Sequence, residues 1–166
     1  MTSRKAGIKQ LIRGADHFKI DLLELYFSES DQDITMGLIK AMAELKNPQY
    51  ANALIDAIGV EIGNHCQGNI RRVAACALGD INWNAKITSQ SLNAVFNKLE
   101  WTLHSPEDWG LRYSACLALE GIGGANSIEL LNEAKAKETV PVLSVRLENA
   151  ILKSKSKTPI HHIENK

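Results

Sequence analysis

Slid against itself by 41 residues, the sequence falls onto a second copy of one of its own segments: Asn69-Ile-Arg-Arg-Val-Ala-Ala-Cys-Ala-Leu-Gly-Asp-Ile81 lies on Gly110-Leu-Arg-Tyr-Ser-Ala-Cys-Leu-Ala-Leu-Glu-Gly-Ile122. Under that offset Arg71 meets Arg112, Ala74 meets Ala115, Ala77 meets Ala118, Leu78 meets Leu119 and Ile81 meets Ile122. The shared positions recur at helical spacing. A looser copy runs from Asp33 to Leu45 through Ile34, Leu38, Ala41 and Met42, and a fourth start is read at Val145-Arg146. Second amphipathic segments, 50–62, 89–103 and 127–136, lie between the copies. Each unit of about 40 residues therefore reads helix, loop, helix, and such units bury their apolar stripes only by stacking on one another.

The expected fold is all-α, an α–α superhelix of the HEAT-repeat solenoid type with about four helical-hairpin repeats. Its length of 166 residues fits one domain, taken as 1–153, followed by a flexible tail at 154–166 that alternates Lys and Ser and has no apolar period. Asn47-Pro48 and Ser105-Pro106 read as N-caps followed by proline at the first helical position. Gly63, Gly79, Gly121, Gly123 and Gly124 fall at or near expected helix ends, where a left-handed cap favours glycine. At 100° per residue, Leu111, Ala115, Ala118, Leu119 and Ile122 share an arc of about 100°. That arc is the expected buried stripe, with alanines where adjacent layers approach closely.

Charge removes several function classes. Lys+Arg and Asp+Glu both total 19, and no polybasic run occurs, which argues against a nucleic-acid partner held by phosphate contacts. Three cysteines, Cys66, Cys76 and Cys116, form no paired spacing and read as reduced thiols. No window approaches the ~20 apolar residues of a membrane span, and the first 14 residues do not resemble a signal peptide, so the expectation is a cytoplasmic protein without membrane insertion. His65, Cys66, Cys76, His104 and Cys116 lack zinc-ligand spacing, and no metal is expected. No self-contained catalytic motif is present.

One helical face could carry chemistry. Opposite the buried stripe, Trp109, Tyr113, Leu117 and Glu120 share a side of their helix, and Asn69, Arg72, Cys76 and Asp80 occupy the matching side of the preceding repeat. Aromatic rings beside arginine and carboxylates suit a flat, conjugated, acidic ligand. The competing reading is that the rings only cap the hydrophobic layer. Arg71 and Arg112, at the edge of the stripe, read first as partners of neighbouring acids, with Asp108 at helical spacing from Arg112. Trp101 reads as core, and Trp83 either anchors its turn or rims a pocket.

Asp108-Trp-Gly-Leu-Arg-Tyr-Ser-Ala-Cys-Leu-Ala-Leu-Glu120 resembles the Asp-Trp-x-x-Arg-Tyr-Ala-Ala repeat of HEAT-type phycobilin lyases, and Arg71 to Trp83 resembles the arginine-led repeat with a following tryptophan. The resemblance implies a protein that handles linear tetrapyrroles as substrate, with no permanently bound cofactor. Its implied partners are an α or β phycobiliprotein subunit and a second HEAT-repeat lyase subunit. Lyase, chaperone and phycobilisome-degradation roles all remain open, as does a HEAT-repeat protein–protein scaffold without bilin chemistry. Carried onto this chain, Trp109 and Tyr113 would flank the chromophore, with Arg71, Trp83, Asn69 and Glu120 around it. Arg72 or Arg112 would meet a propionate, and Asp108 or Asp80 would serve as proton source.

If Ala115 lies where two layers meet, Ala115→Leu overpacks the site by ~1–3 kcal/mol and lowers the melting temperature. An unchanged melting temperature would place Ala115 elsewhere.

Overall fold

The computed structural model describes residues 21–59, 68–83, 88–105 and 108–156, together with Gly7, Gln10 and Gly14. The described segments hold α1 (Leu22–Ser28), α2 (Gln32–Leu45), α3 (Ala51–Ile58), α4 (Gly68–Asp80), α5 (Ser89–Leu103), α6 (Trp109–Ile122), α7 (Gly124–Lys137) and α8 (Pro141–Lys155). No strand occurs among the described residues. The helices α2, α4, α6 and α8 pack in sequence as one layer, and α3, α5 and α7 form the second. Each second-layer helix packs chiefly on the first-layer helix that follows it, α3 on α4, α5 on α6 and α7 on α8. Three hairpins and the first helix of a fourth are therefore in view, which is the HEAT-type solenoid the repeat predicts.

Local chemistry explains most of the boundaries. Asp21 and Asp31 cap α1 and α2, each with a side-chain oxygen accepting from two backbone N–H groups of the first turn. Asn47 accepts from the Gln49 N–H and starts a short 3₁₀ turn, Pro48–Tyr50, that leads into α3. The expected cap at Ser105 is displaced. Asp108 is the N-cap of α6, accepting from the Leu111 N–H at 2.9 Å, because its carboxylate reaches the first turn and compensates the orphan donors. The fourth repeat also begins earlier than Val145. Proline at the first position sets the start of α8 at Pro141, and Arg146 lies inside the helix. Ser154 and Lys155, the first residues of the expected tail, are helical, and Ser154 is buried. The remaining tail beyond Ser156 lies outside the described residues, as does Gly63.

Only some of the glycines act as helix stops. Gly123, at φ 72, closes α6 with its N–H donating to the Leu119 carbonyl at 2.8 Å, and Gly124 follows at φ 81. Gly79 and Gly121 remain helical and serve a different purpose. A Cβ on Gly79 would lie 2.5 Å from the Cα of Ala118, and one on Gly121 would lie 2.4 Å from the Gly79 carbonyl oxygen. Here α4 and α6 touch backbone to backbone at Gly79, Ala118 and Gly121, while Ala74, Ala77 and Ala115 are buried in the core. Larger side chains fill the interlayer space, among them Leu54, Ile58, Leu78, Leu99, Leu111 and Leu131.

Arginines lock the layers at their ends. Arg112 on α6 donates from Nη1 to the Ser105 carbonyl just past the end of α5, at 2.8 Å. Its Nε and Nη2 meet the two oxygens of Glu138 at 3.1 and 3.3 Å. Burial alone would push the Glu138 carboxyl up. The Val140 N–H, Arg112 and the Thr139 N–H outweigh that and hold it below the usual carboxylate range.

Gly121→Ala must force α4 and α6 apart, and the expected cost, toward the upper end of the ~1–3 kcal/mol range for overpacking, is measurable by urea unfolding. A loss below about 0.5 kcal/mol would refute the backbone contact. For Glu138 the depressed folded-state value means its stabilisation is fully present above the unfolded carboxylate value near 4.5 and is lost as pH falls through the folded value. Glu138→Gln should cost ~1–3 kcal/mol at pH 7, with the difference from the parent protein shrinking steadily below about pH 4.5. A pH-independent difference would show that the carboxylate charge is not the source.

Candidate functional site

Backbone contact between α4 and α6 brings their outer flanks side by side. Asn69, Arg72 and Asp80 are exposed on α4 with Cys76 half-buried between them, and Trp109, Tyr113, Leu117 and Glu120 follow on α6. Trp109 is 54% exposed and Leu117 38%, whereas Tyr113 is half-buried and packs on the core. The face thus has an open aromatic end and a more enclosed middle.

At the open end, Arg72 stretches across the first turn of α6. A Cβ on Gly110 would come within 2.7 Å of the Arg72 Nε, so glycine gives the guanidinium room to lie there. Its Nη2 donates to Asp108 Oδ1 at 2.7 Å, the same oxygen that caps α6. Burial would raise the Asp108 carboxyl, but Arg72 and the Leu111 and Gly110 N–H groups hold it below the usual range. Asp108 is accordingly a poor proton donor near neutral pH. Its geometry fits an anchor that positions Arg72, and of the two expected acids Asp80 alone stays exposed on the face.

Helix α8 adds residues at the other end that repeat matching did not assign to a site. Arg146 lies over the Tyr113 ring, 5.6 Å from its centroid, and pairs with Glu120 Oε2. Lys153 reaches Glu120 Oε1 at 3.2 Å. The Arg146 Nε is buried and has no hydrogen-bond partner. Cys76 sits between these groups, its thiol pushed up by burial, with Ser114 and Arg146 acting in the opposite sense and Asp80 adding to the rise. Such a thiol is a weak nucleophile. The signal that could have found Arg146 was the apolar register of its helix: Leu143, Leu147, Ala150 and Ile151 are buried and place Arg146 on the flank facing α6.

Three expected site residues lie away from this face. Trp83 is 5% exposed and donates its Nε1–H to the Leu78 carbonyl at 2.9 Å, which fastens the turn after α4. Arg112 is committed to Glu138 and Ser105. Arg71, 4% exposed, donates from Nε to the Ile58 carbonyl at 2.6 Å and points to the α3 side of its helix. Among the described residues no group of three His, Cys, Asp or Glu side chains gathers as a metal site, and no helix is long and apolar enough to cross a membrane.

No family model matches the chain. It is 35% identical over 150 residues to the bilin biosynthesis protein PecF of Nostoc sp. strain PCC 7120, covering 89% of this chain and 85% of that protein. It is likewise 35% identical over 146 residues to PecF of Mastigocladus laminosus, covering 88% and 68%. A weaker likeness, 26% over 102 residues, links 60% of the chain to 49% of the phycocyanobilin lyase subunit beta of the same Nostoc strain. Among solved structures, a chain of the complex of CpcE and CpcF of phycocyanin lyase from Nostoc sp. PCC7120 superposes with a TM-score of 0.62 at 20% identity. That match covers 87% of this chain and 98% of the other, and it concerns the fold. Identity of 35% across nearly nine-tenths of the sequence, on the solenoid described above, makes this chain a member of the phycobilin lyase family.

Proposed function

We propose that this chain is a phycobilin lyase subunit that holds a linear tetrapyrrole on the α4–α6–α8 face and presents it to a cysteine of a phycobiliprotein subunit. The observation that carries the reading is the exposed Trp109 ring, one helical turn from Tyr113, between the cations Arg72 at one end and Arg146 and Lys153 at the other. Stacking on the rings holds the conjugated system, and the cations attract its carboxylates. Family membership supplies the chemical class of the substrate.

In the reaction the acceptor cysteine adds to an electrophilic double bond of the bilin. A sulfur–carbon bond forms, the π bond opens, and the proton that leaves the thiol is balanced by one gained at the neighbouring carbon. None of this requires a nucleophile from the lyase itself; of the described cysteines, Cys116 is buried with its thiol pushed up to about 12 by burial, and Cys76 is weakly reactive. The subunit's work is orientation and proton exchange, with Asp80 the exposed carboxylate on the face. A second HEAT-type subunit would complete the enzyme. Helix α8, the last of the described helices, leaves Val142, Val145 and Leu152 exposed at 54%, 59% and 60%, apolar surface of the kind that protein partners cover.

Mixing the purified chain with free phycocyanobilin should shift and sharpen its visible absorbance. Trp109→Ala should weaken that binding about tenfold while leaving the melting temperature within a degree or two, because the ring is exposed. An unaltered spectrum in the parent protein, alone and with a co-expressed lyase partner, would rule out bilin binding on this face.

A further inference from the structure

A second cluster of charge lies on the other flank of α4, away from the aromatic face. Two cations converge on the C-terminal end of α3. Arg71 Nε donates to the Ile58 carbonyl at 2.6 Å, and Lys98 Nζ on α5 donates to the next carbonyl, Gly59, at 2.7 Å. The Trp101 indole lies beside both, with Lys98 Nζ 4.4 Å and the Arg71 guanidinium carbon 5.9 Å from its centroid. The helix end and the ring face offset part of the like-charge repulsion. Yet the Lys98 ammonium is still held below its usual range, first by burial and then by the Arg71 charge, with Asp56 opposing. Asp56 itself accepts the Tyr26 hydroxyl at 2.9 Å.

The internal repeat shows what this position lacks. Arg112, the repeat mate of Arg71, also donates to a carbonyl at the end of the preceding second-layer helix, and its guanidinium is completed by the Glu138 carboxylate. At Arg71 no described acid takes that role: Nη2 is buried with no hydrogen-bond partner. An orphan guanidinium nitrogen next to a partly desolvated ammonium is an unfinished carboxylate slot.

We infer that Arg71, Lys98 and Trp101 form a carboxylate-binding site, filled by an acidic group of a ligand entering beside Lys98 and Trp101, both of which keep part of their surface open. The carboxylate would sit between the two cations, with Trp101 as its wall. A propionate of a bilin bound on this flank, and so not stacked on Trp109, is one source, and a separate small carboxylic acid is the other.

The three tryptophans give three indole N–H signals in the full-length chain, so the site can be read directly by NMR. Sodium propionate, compared with sodium chloride at equal ionic strength, should move the Trp101 signal saturably while Trp83 and Trp109 stay in place. Lys98→Met should weaken that response about tenfold, and Arg71→Lys, which keeps a donor for Ile58 but loses the forked geometry, should weaken it to a smaller extent. No propionate-specific movement of Trp101, or an equal response in Lys98→Met, would overturn the site. Phycocyanobilin and its dimethyl ester then separate the sources. Loss of affinity in Lys98→Met for the diacid but not for the diester assigns the slot to a bilin propionate. Retained propionate binding with no bilin effect leaves the site standing for another acid, and in that case bilin binding fails or survives independently at Trp109.

Discussion

The backbone contact of α4 with α6 at Gly79 and Gly121 governs the rest of the molecule. Two helices whose Cα and carbonyl atoms meet cannot slide or rotate without steric collision, so their relative register is fixed. Ala118 lies in the same contact, and toward the start of α6 Gly110 leaves room for the Arg72 side chain. Because the inner surfaces are fixed, the outer flanks are fixed as well, and Arg72 can lie across Gly110 to reach Asp108. A rigid face for a planar ligand thus begins with the absence of two side chains elsewhere.

Charge is used differently on the two flanks of these helices. On the outer face, Arg146 is largely buried against Glu120, whereas Arg72 and Lys153 are partnered by Asp108 and Glu120 near solvent. Such pairs contribute little to stability, and their value lies in where they hold a cation. At the layer ends, Arg112 is desolvated and fully hydrogen-bonded, which makes its pairing with Glu138 part of the structure, since removing either partner strands a buried charge. Arg71 occupies the same place in its repeat but has its guanidinium only partly satisfied.

Membership of the phycobilin lyase family and this distribution of groups agree on one kind of chemistry. A bilin brings its own electrophile and the acceptor protein brings the thiol, so a rigid aromatic face beside two poorly reactive described cysteines, Cys76 and Cys116, has what orientation requires. Asp108 illustrates how environment alters an expected role. The same carboxylate that looks like an acid in sequence is drawn into helix capping and an arginine pair, and both favour its anion.

Periodicity by itself determined the helical hairpins, the stacking layers, the buried stripe through Leu111, Ala115, Ala118 and Leu119, and the flank that carries Trp109, Tyr113, Arg72 and Asp80. These follow from spacing along one helix, which every residue of that helix shares. The family also lay in a short string, Asp108 to Tyr113, distinctive enough to stand out of an alanine-rich repeat. Only the tertiary structure decided that Gly79 and Gly121 separate nothing and join two backbones, that Asp108 and not Ser105 opens α6, that Trp83 turns inward, and that Arg146 and Lys153 complete the face. Each of those depends on an atom supplied by another helix tens of residues away, and a periodic pattern fixes directions around an axis without saying what stands opposite them.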